Sequence, residues 1–183
     1  PDYPGTRAVL GTTGAEVVSV DVDDHGLPPE RLPERPKLVV TTASHHCPTN
    51  ATLPLDRRLA LLAAAEAGDF LILEDDYEFE MSFLQSAAPS LKSLDAGGRV
   101  VHVGSFSKSL FPGLRLGYLV APAPFVAAVR ALRAAEAGRS AGSCERARSM
   151  SATRLSGTSG RASRMGLRSP ARALRRISSA VVA

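Results

Sequence analysis

The sequence predicts an α/β fold, a mostly parallel sheet flanked by helices, on three observations. Lys37-Leu38-Val39-Val40-Thr41-Thr42 is a short, nearly continuous apolar run, the pattern of a parallel strand covered on both faces. A helical stretch over residues 54–67 leads straight into a second such run, Phe70-Leu71-Ile72-Leu73. Two more apolar runs, residues 99–105 and 114–120, bracket a polar segment. Strands alternating with helices in this way place the chain among proteins with helices packed on the faces of a sheet.

Taken in order, residues 7–11 read as a short helix ending at Gly11, and residues 16–22 alternate after Val17 and read as a strand. Residues 23–35 are charged and Pro-rich, a loop with one helical turn at 29–32. The helix at 54–67 places Leu55, Leu59, Leu62, Ala63 and Glu66 at i, i+4, i+7, i+8 and i+11, which predicts that this stripe faces the core. Pro54 stands near its start and Gly68 just past its end. The strand at 70–73 runs into Glu74-Asp75-Asp76-Tyr77. Residues 78–96 are irregular, helix-like only at 91–94, and Gly97-Gly98 makes a turn. The strand at 99–105 leads to Lys108, the chain returns as a strand at 114–120, and residues 125–137 form an amphipathic helix with Val126, Val129, Ala131 and Leu132 apolar.

At 183 residues, with 44% apolar content, the chain is sized for one domain and carries enough apolar residues for a core. It has no run of eighteen apolar residues. Pro1-Asp2-Tyr3-Pro4-Gly5 lacks both a methionine and a signal-peptide layout, so the chain is expected to begin within a longer protein. Cys47 and Cys144 form neither a metal spacing nor a disulfide framework, which makes a reducing cytoplasm the default location. The net charge of +4 conceals a division: residues 1–137 carry 12 Lys+Arg against 17 Asp+Glu, whereas residues 138–183 carry 10 Arg against 1 Glu. That tail also holds 10 Ser and no aromatic residue, a composition that argues against a packed core. It reads either as a disordered Arg-rich arm for nucleic-acid phosphates or as the product of a frameshift in a GC-rich gene.

Chemistry concentrates in two places. The first is Val103-Gly104-Ser105-Phe106-Ser107-Lys108-Ser109-Leu110-Phe111-Pro112-Gly113-Leu114-Arg115-Leu116-Gly117-Tyr118, which holds one of the three lysines in the chain. A lysine there can form a Schiff base to an aldehyde cofactor, with neighbouring Ser and Arg side chains holding a phosphate. Taken as Ser-x-Ser-Lys alone, it is a solvated loop lysine. The second is the acidic run at 74–76, whose carboxylates repel one another. Alone it reads as a magnesium site, a solvated turn, or a carboxylate at a strand's carboxyl end for a cationic ring. Near the turn, His45, His46 and Cys47 match no zinc spacing.

The sixteen-residue string resembles the pyridoxal-phosphate lysine segment of class I/II aminotransferases, most closely the variant in the MocR-type branch of the GntR transcriptional regulators. The resemblance covers residues 3–137 and implies the large-domain core of a fold-type I pyridoxal-phosphate protein, followed by the tail at 138–183. It implies that Lys108 carries pyridoxal 5'-phosphate, Asp75 pairs with the ring nitrogen, and Tyr77 bonds the ring's phenolic oxygen. Ser105, Ser107 and Arg115 would hold the phosphate and Tyr3 would stack on the ring. Aminotransferases have an Asn-Pro-Thr-Gly turn where this chain has Cys47-Pro48-Thr49-Asn50. The missing Asn favours the regulator branch, and Asn50 can still supply the positive φ of a turn glycine.

Two functions follow from the resemblance: the effector domain of a regulator that binds an amino-acid or amine ligand, or a fragment of a transaminase. A basic nucleic-acid-binding role would rest on the tail alone. The winged helix-turn-helix of the regulators, the phosphate-capping loop and the small domain have no counterpart in this stretch. The parent is expected to be a cytoplasmic homodimer and, if a regulator, to bind DNA through another domain. No membrane or metal partner is expected.

Overall fold

The computed structural model describes residues 3–77, 88–149 and 179–182, with residues 138–149 and 179–182 described in backbone only. The chain divides into two compact units, Pro1–Ala123 with Arg175–Ala183, and Pro124–Leu174. The first holds a six-stranded sheet built from β1 (Glu16–Ser19), β2 (Leu38–Thr41), β3 (Leu71–Asp76), β4 (Val100–Ser105), β5 (Gly117–Val120) and β6 (Ser179–Val182). Its order is β1-β6-β2-β3-β4-β5, and every pair is parallel except β4 with β5. The helices are α1 (Pro4–Thr12), α2 (Leu55–Gly68), α3 (Leu91–Leu94), α4 (Phe106–Ser109) and α5 (Ala123–Ser149), with short 3-10 turns at Pro29–Arg31 and Pro112–Leu114. The second unit carries all of α5 beyond its first residue.

Side-chain alternation assigns the two faces of the sheet. Val39 and Ala43 from the β2 segment, Ile72 from β3 and Val100 from β4 are buried together with Leu61, Ala65, Phe70 and Leu91. Glu74, Asp76, His102 and Gly104 lie on that core face by the same alternation, and Leu73, Asp75, Val101, Val103 and Ser105 lie on the other.

The face that α2 buries differs from the expected stripe. Leu55 and Leu59 are each 51% exposed, Leu62 of that stripe packs partly against the core, and the residues turned fully inward are Arg58, Leu61 and Ala65. Leu and Ala occupy most of the helix circumference, so apolar spacing could not choose a side. The choice rests on Arg58, which is fully buried. Its Nε donates to the Leu53 carbonyl at 2.7 Å, and its terminal nitrogens donate to those of Ala43 at 2.8 Å and Pro89 at 3.0 Å. Burial lowers its pKa, while the charges of Glu74 and Asp76 act in the opposite direction. The helix also takes in Gly68 and ends one residue later on Asp69, in the left-handed region at φ 52°.

Helix α5 continues to Ser149, and residues 179–182 add a strand between β1 and β2. Ala and Arg are strong helix formers and can extend a helix without a core, while Val181 and Val182 suit a strand.

Replacing Arg58 with Met would leave three carbonyls without their donor and two acidic groups without their nearby cation. Urea unfolding is expected to show a loss of about 3 kcal/mol or more. A loss below about 1 kcal/mol would contradict the bridging role.

Candidate functional site

Because β2, β3 and β4 run parallel, their carboxyl ends open onto one edge of the sheet, where ligands gather in open α/β sheets. Three segments meet along that edge: the loop after β2, Asp75 to Tyr77 from β3, and Ser105 to Arg115 after β4. Asp75 is registered with Val103, so Asp75, Val103 and Ser105 share one face. Strand spacing and rise put the α-carbons of Asp75 and Ser105 about 8 Å apart.

The segment after β4 is a closed loop. The Ser105 hydroxyl oxygen caps α4 by accepting from the Ser107 N–H at 3.1 Å. The Phe106 N–H donates to the Leu116 carbonyl at 3.0 Å, and Ser105 is registered with Gly117 on β5. Lys108 and Arg115 both lie within this loop and are exposed. Arg115 occupies the left-handed region at φ 49°, as the residue that ends the 3-10 turn. Gly104 makes the closure feasible, since a Cβ there would collide with the ring of Tyr118. That ring also lies 5.2 Å from Phe106 and 5.8 Å from His102, centroid to centroid.

The loop after β2 is tied to the same edge. The Tyr77 hydroxyl donates to the His45 carbonyl at 3.2 Å, and the Ser44 hydroxyl donates to Asp76 at 3.0 Å. Asn50 adopts φ 60°, the conformation a turn glycine would supply. Cys47 is exposed. Tyr3 is 69% exposed and precedes α1, whose Arg7 donates to the Ser19 hydroxyl at the carboxyl end of β1. That end belongs to the same edge but stands three strand spacings, roughly 14 Å, from β3. The structure therefore brings Asp75, Tyr77, Ser105, Ser107, Lys108 and Arg115 to neighbouring positions and leaves Tyr3 with a more distant strand.

Of the three lysines, only Lys108 stands at this edge. Lys37 precedes β2 at the opposite edge, and Lys92 bonds Asp95 at 2.8 Å and the Val100 carbonyl at 3.0 Å, at the start of β4. The residue types suit a phosphorylated aldehyde: an amine, the hydroxyls of Ser105 and Ser107 and a guanidinium in one loop, with a carboxylate on the adjoining strand.

The class I and II aminotransferase pattern matches residues 1–176. The chain belongs to that family. Over 134 residues it is 92% identical to the HTH-type transcriptional regulator TauR of Rhodobacter capsulatus, covering 73% of this chain and 28% of TauR. The HTH-type pyridoxine biosynthesis transcriptional regulator PdxR of Corynebacterium glutamicum is 38% identical over 133 residues, covering 73% of this chain and 29% of PdxR. Among solved structures, LysN, the α-aminoadipate aminotransferase of Thermus thermophilus, superposes with a TM-score of 0.65 at 31% identity, covering 69% of this chain and 34% of LysN. That structure holds N-(5'-phosphopyridoxyl)-L-leucine. The chain thus spans about a third or less of these relatives. No helix among its described residues is long and apolar enough to cross a membrane.

Sequence reasoning missed the polar network on the opposite face of β3. Glu74 is fully buried and accepts from the Leu91 and Lys92 N–H groups at 2.7 and 3.1 Å and from His102 Nδ1 at 2.9 Å. Ligand atoms of Glu74, Asp76 and His102 lie within 4.8 Å of one another, but protein donors already engage both carboxylates. The signal was a single ionisable residue, His102, inside an otherwise apolar strand.

The hydrogen bond to Glu74 raises the pKa of His102, against the effect of burial. Burial raises that of Asp76, opposed by the Ser44 hydroxyl. A histidine with a raised folded-state pKa adds stability below its ordinary value of 6.5 and loses it as pH rises through the folded value. Unfolding free energy should therefore decline from near-neutral to alkaline pH, and His102→Gln should flatten that decline. An unchanged slope in the variant would refute the pairing.

Proposed function

We propose that this chain is part of the effector domain of a MocR-type transcriptional regulator that binds pyridoxal 5'-phosphate and responds to an amino-acid or amine ligand. The observation that carries this reading is the 92% identity to TauR over 134 residues. Beside it stands Lys108, three residues past the end of the strand that pairs with the one carrying Asp75. In this reading the parent is a cytoplasmic homodimer that binds DNA through a part of the protein outside this chain.

When bound, the cofactor supplies an aldehyde that captures amino groups and a ring that withdraws electrons from them. Lys108 contributes the amine. The Asp75 carboxylate keeps a proton on the ring nitrogen. The Ser105 oxygen accepts from the backbone, which leaves its own O–H free to donate to phosphate, together with Ser107 and the Arg115 fork. Tyr77 donates to the His45 carbonyl, so bonding the ring's phenolic oxygen requires that it release this contact or accept instead. Tyr3 stacks on the ring only if its helix approaches β3. A transaminase is the second reading, supported by the likeness to LysN; there Lys108 also moves the substrate's α-proton as general base. A nucleic-acid-binding role for the tail rests on its composition alone.

Residues 138–183 change composition abruptly, although the family pattern runs on to residue 176. We read this stretch as out of frame. Coding DNA translated in the other two frames across 135–183 is expected to yield a helical, aromatic-containing continuation, and its absence would leave the Arg-rich arm.

The chain should retain pyridoxal phosphate through gel filtration, seen as a visible absorbance band. Lys108→Ala should abolish the band and Asp75→Ala should abolish retention. Full retention in either variant would overturn its assignment.

A further inference from the structure

Thr42 is nine-tenths buried, and its Oγ1 has no hydrogen-bond partner. A buried hydroxyl without a partner is costly and calls for a reason. Its position supplies one. Thr41 is registered with Glu74, so the next residue, Thr42, falls beside Asp75. Alternation agrees: Val39 and Ala43 belong to the core cluster on one face, which turns Thr42 to the other, the face of Asp75 and Ser105. Neighbouring strands stand about 4.8 Å apart, within reach of a hydroxyl-to-carboxylate hydrogen bond.

We propose that Thr42 is a positioning residue for Asp75, its hydroxyl donating to the Asp75 carboxylate when the cofactor is bound. This rests on the reading of Asp75 as the partner of the ring nitrogen. A further hydrogen bond to a carboxylate that holds a ring proton restricts its rotation. Thr42 carries the only orphaned hydroxyl among the described buried residues, and it lies one residue past the end of β2, the strand that pairs with the one carrying Asp75. A charge-assisted hydrogen bond there aims the carboxylate without adding a second charge.

The test compares Thr42→Val, which keeps the shape and removes the donor, with Thr42→Ser, which keeps the donor. Thr42→Ala serves as a second variant without the donor. Pyridoxal phosphate is titrated into each by absorbance, and the stability of each unloaded chain is measured by urea. Thr42→Val and Thr42→Ala should bind about tenfold more weakly, and Thr42→Ser should bind like the parent. Unloaded Thr42→Val should be at least as stable as the parent, because the hydroxyl it loses has no partner there. Unchanged affinity in Thr42→Val would overturn the proposal, as would a matching loss of stability in the unloaded chain, which would mark the hydroxyl as structural. If the parent and Lys108→Ala both fail to bind, the underlying cofactor reading falls and this proposal with it. If the parent binds and Lys108→Ala does not, that reading stands and the Thr42 result is judged alone.

Discussion

The pairing of β3 with β4 is the constraint on which the site depends. Asp75 lies opposite Val103, which puts its carboxylate on the same face as Ser105, and α4 then carries Lys108 onward from that point. Side chains alternate with a period of two, so a slip of one residue would turn Asp75 to the core face and Glu74 out of it. An acid on the wrong face would face the apolar cluster around Ile72 and Val100. The register therefore decides at once which acid can serve chemistry and which must be neutralised by the fold.

The neutralised acid is what locks the register. Glu74 receives two backbone N–H groups from the start of α3 and the ring nitrogen of His102 across the β3–β4 seam. Arg58 stands behind it, directing its own donors to three backbone carbonyls while its charge acts on Glu74 and Asp76. Breaking one member of such a network leaves the others buried and unpaired, so the polar contacts penalise alternative registers more than they add stability. The core face holds the strands in place and the other face is free to present Asp75.

The parallel strands were legible because residues 37–42 and 70–73 are apolar without interruption, and such runs have few other uses. The buried face of α2 was not legible. Leu55 and Leu59 looked like core, and Arg58 looked like solvent, because spacing cannot show that a guanidinium will find three carbonyls. Strand β6 was hidden within Arg- and Ser-rich text, and the antiparallel direction of β5 depends on a closed loop whose contacts only coordinates reveal. Within the site, the roles proposed for Lys108 and Asp75 came from resemblance to a family, and the register sets Asp75 beside the strand that leads to Lys108. Thr42 left no usable trace and His102 only its place as an ionisable residue in an apolar strand, because each matters through a neighbour roughly thirty residues away, on an adjoining strand.

The central claim is that one edge of the sheet holds an amine poised for pyridoxal phosphate. The chain has three lysines, two of them at the opposite edge, which makes the claim directly testable. The chain is incubated with pyridoxal phosphate, reduced with borohydride to fix any lysine adduct, digested, and mapped by mass spectrometry. The account predicts a phosphopyridoxyl label on the peptide containing Lys108 and none above background on those containing Lys37 or Lys92. Label spread evenly over the three, or concentrated on either of the other two, would contradict it.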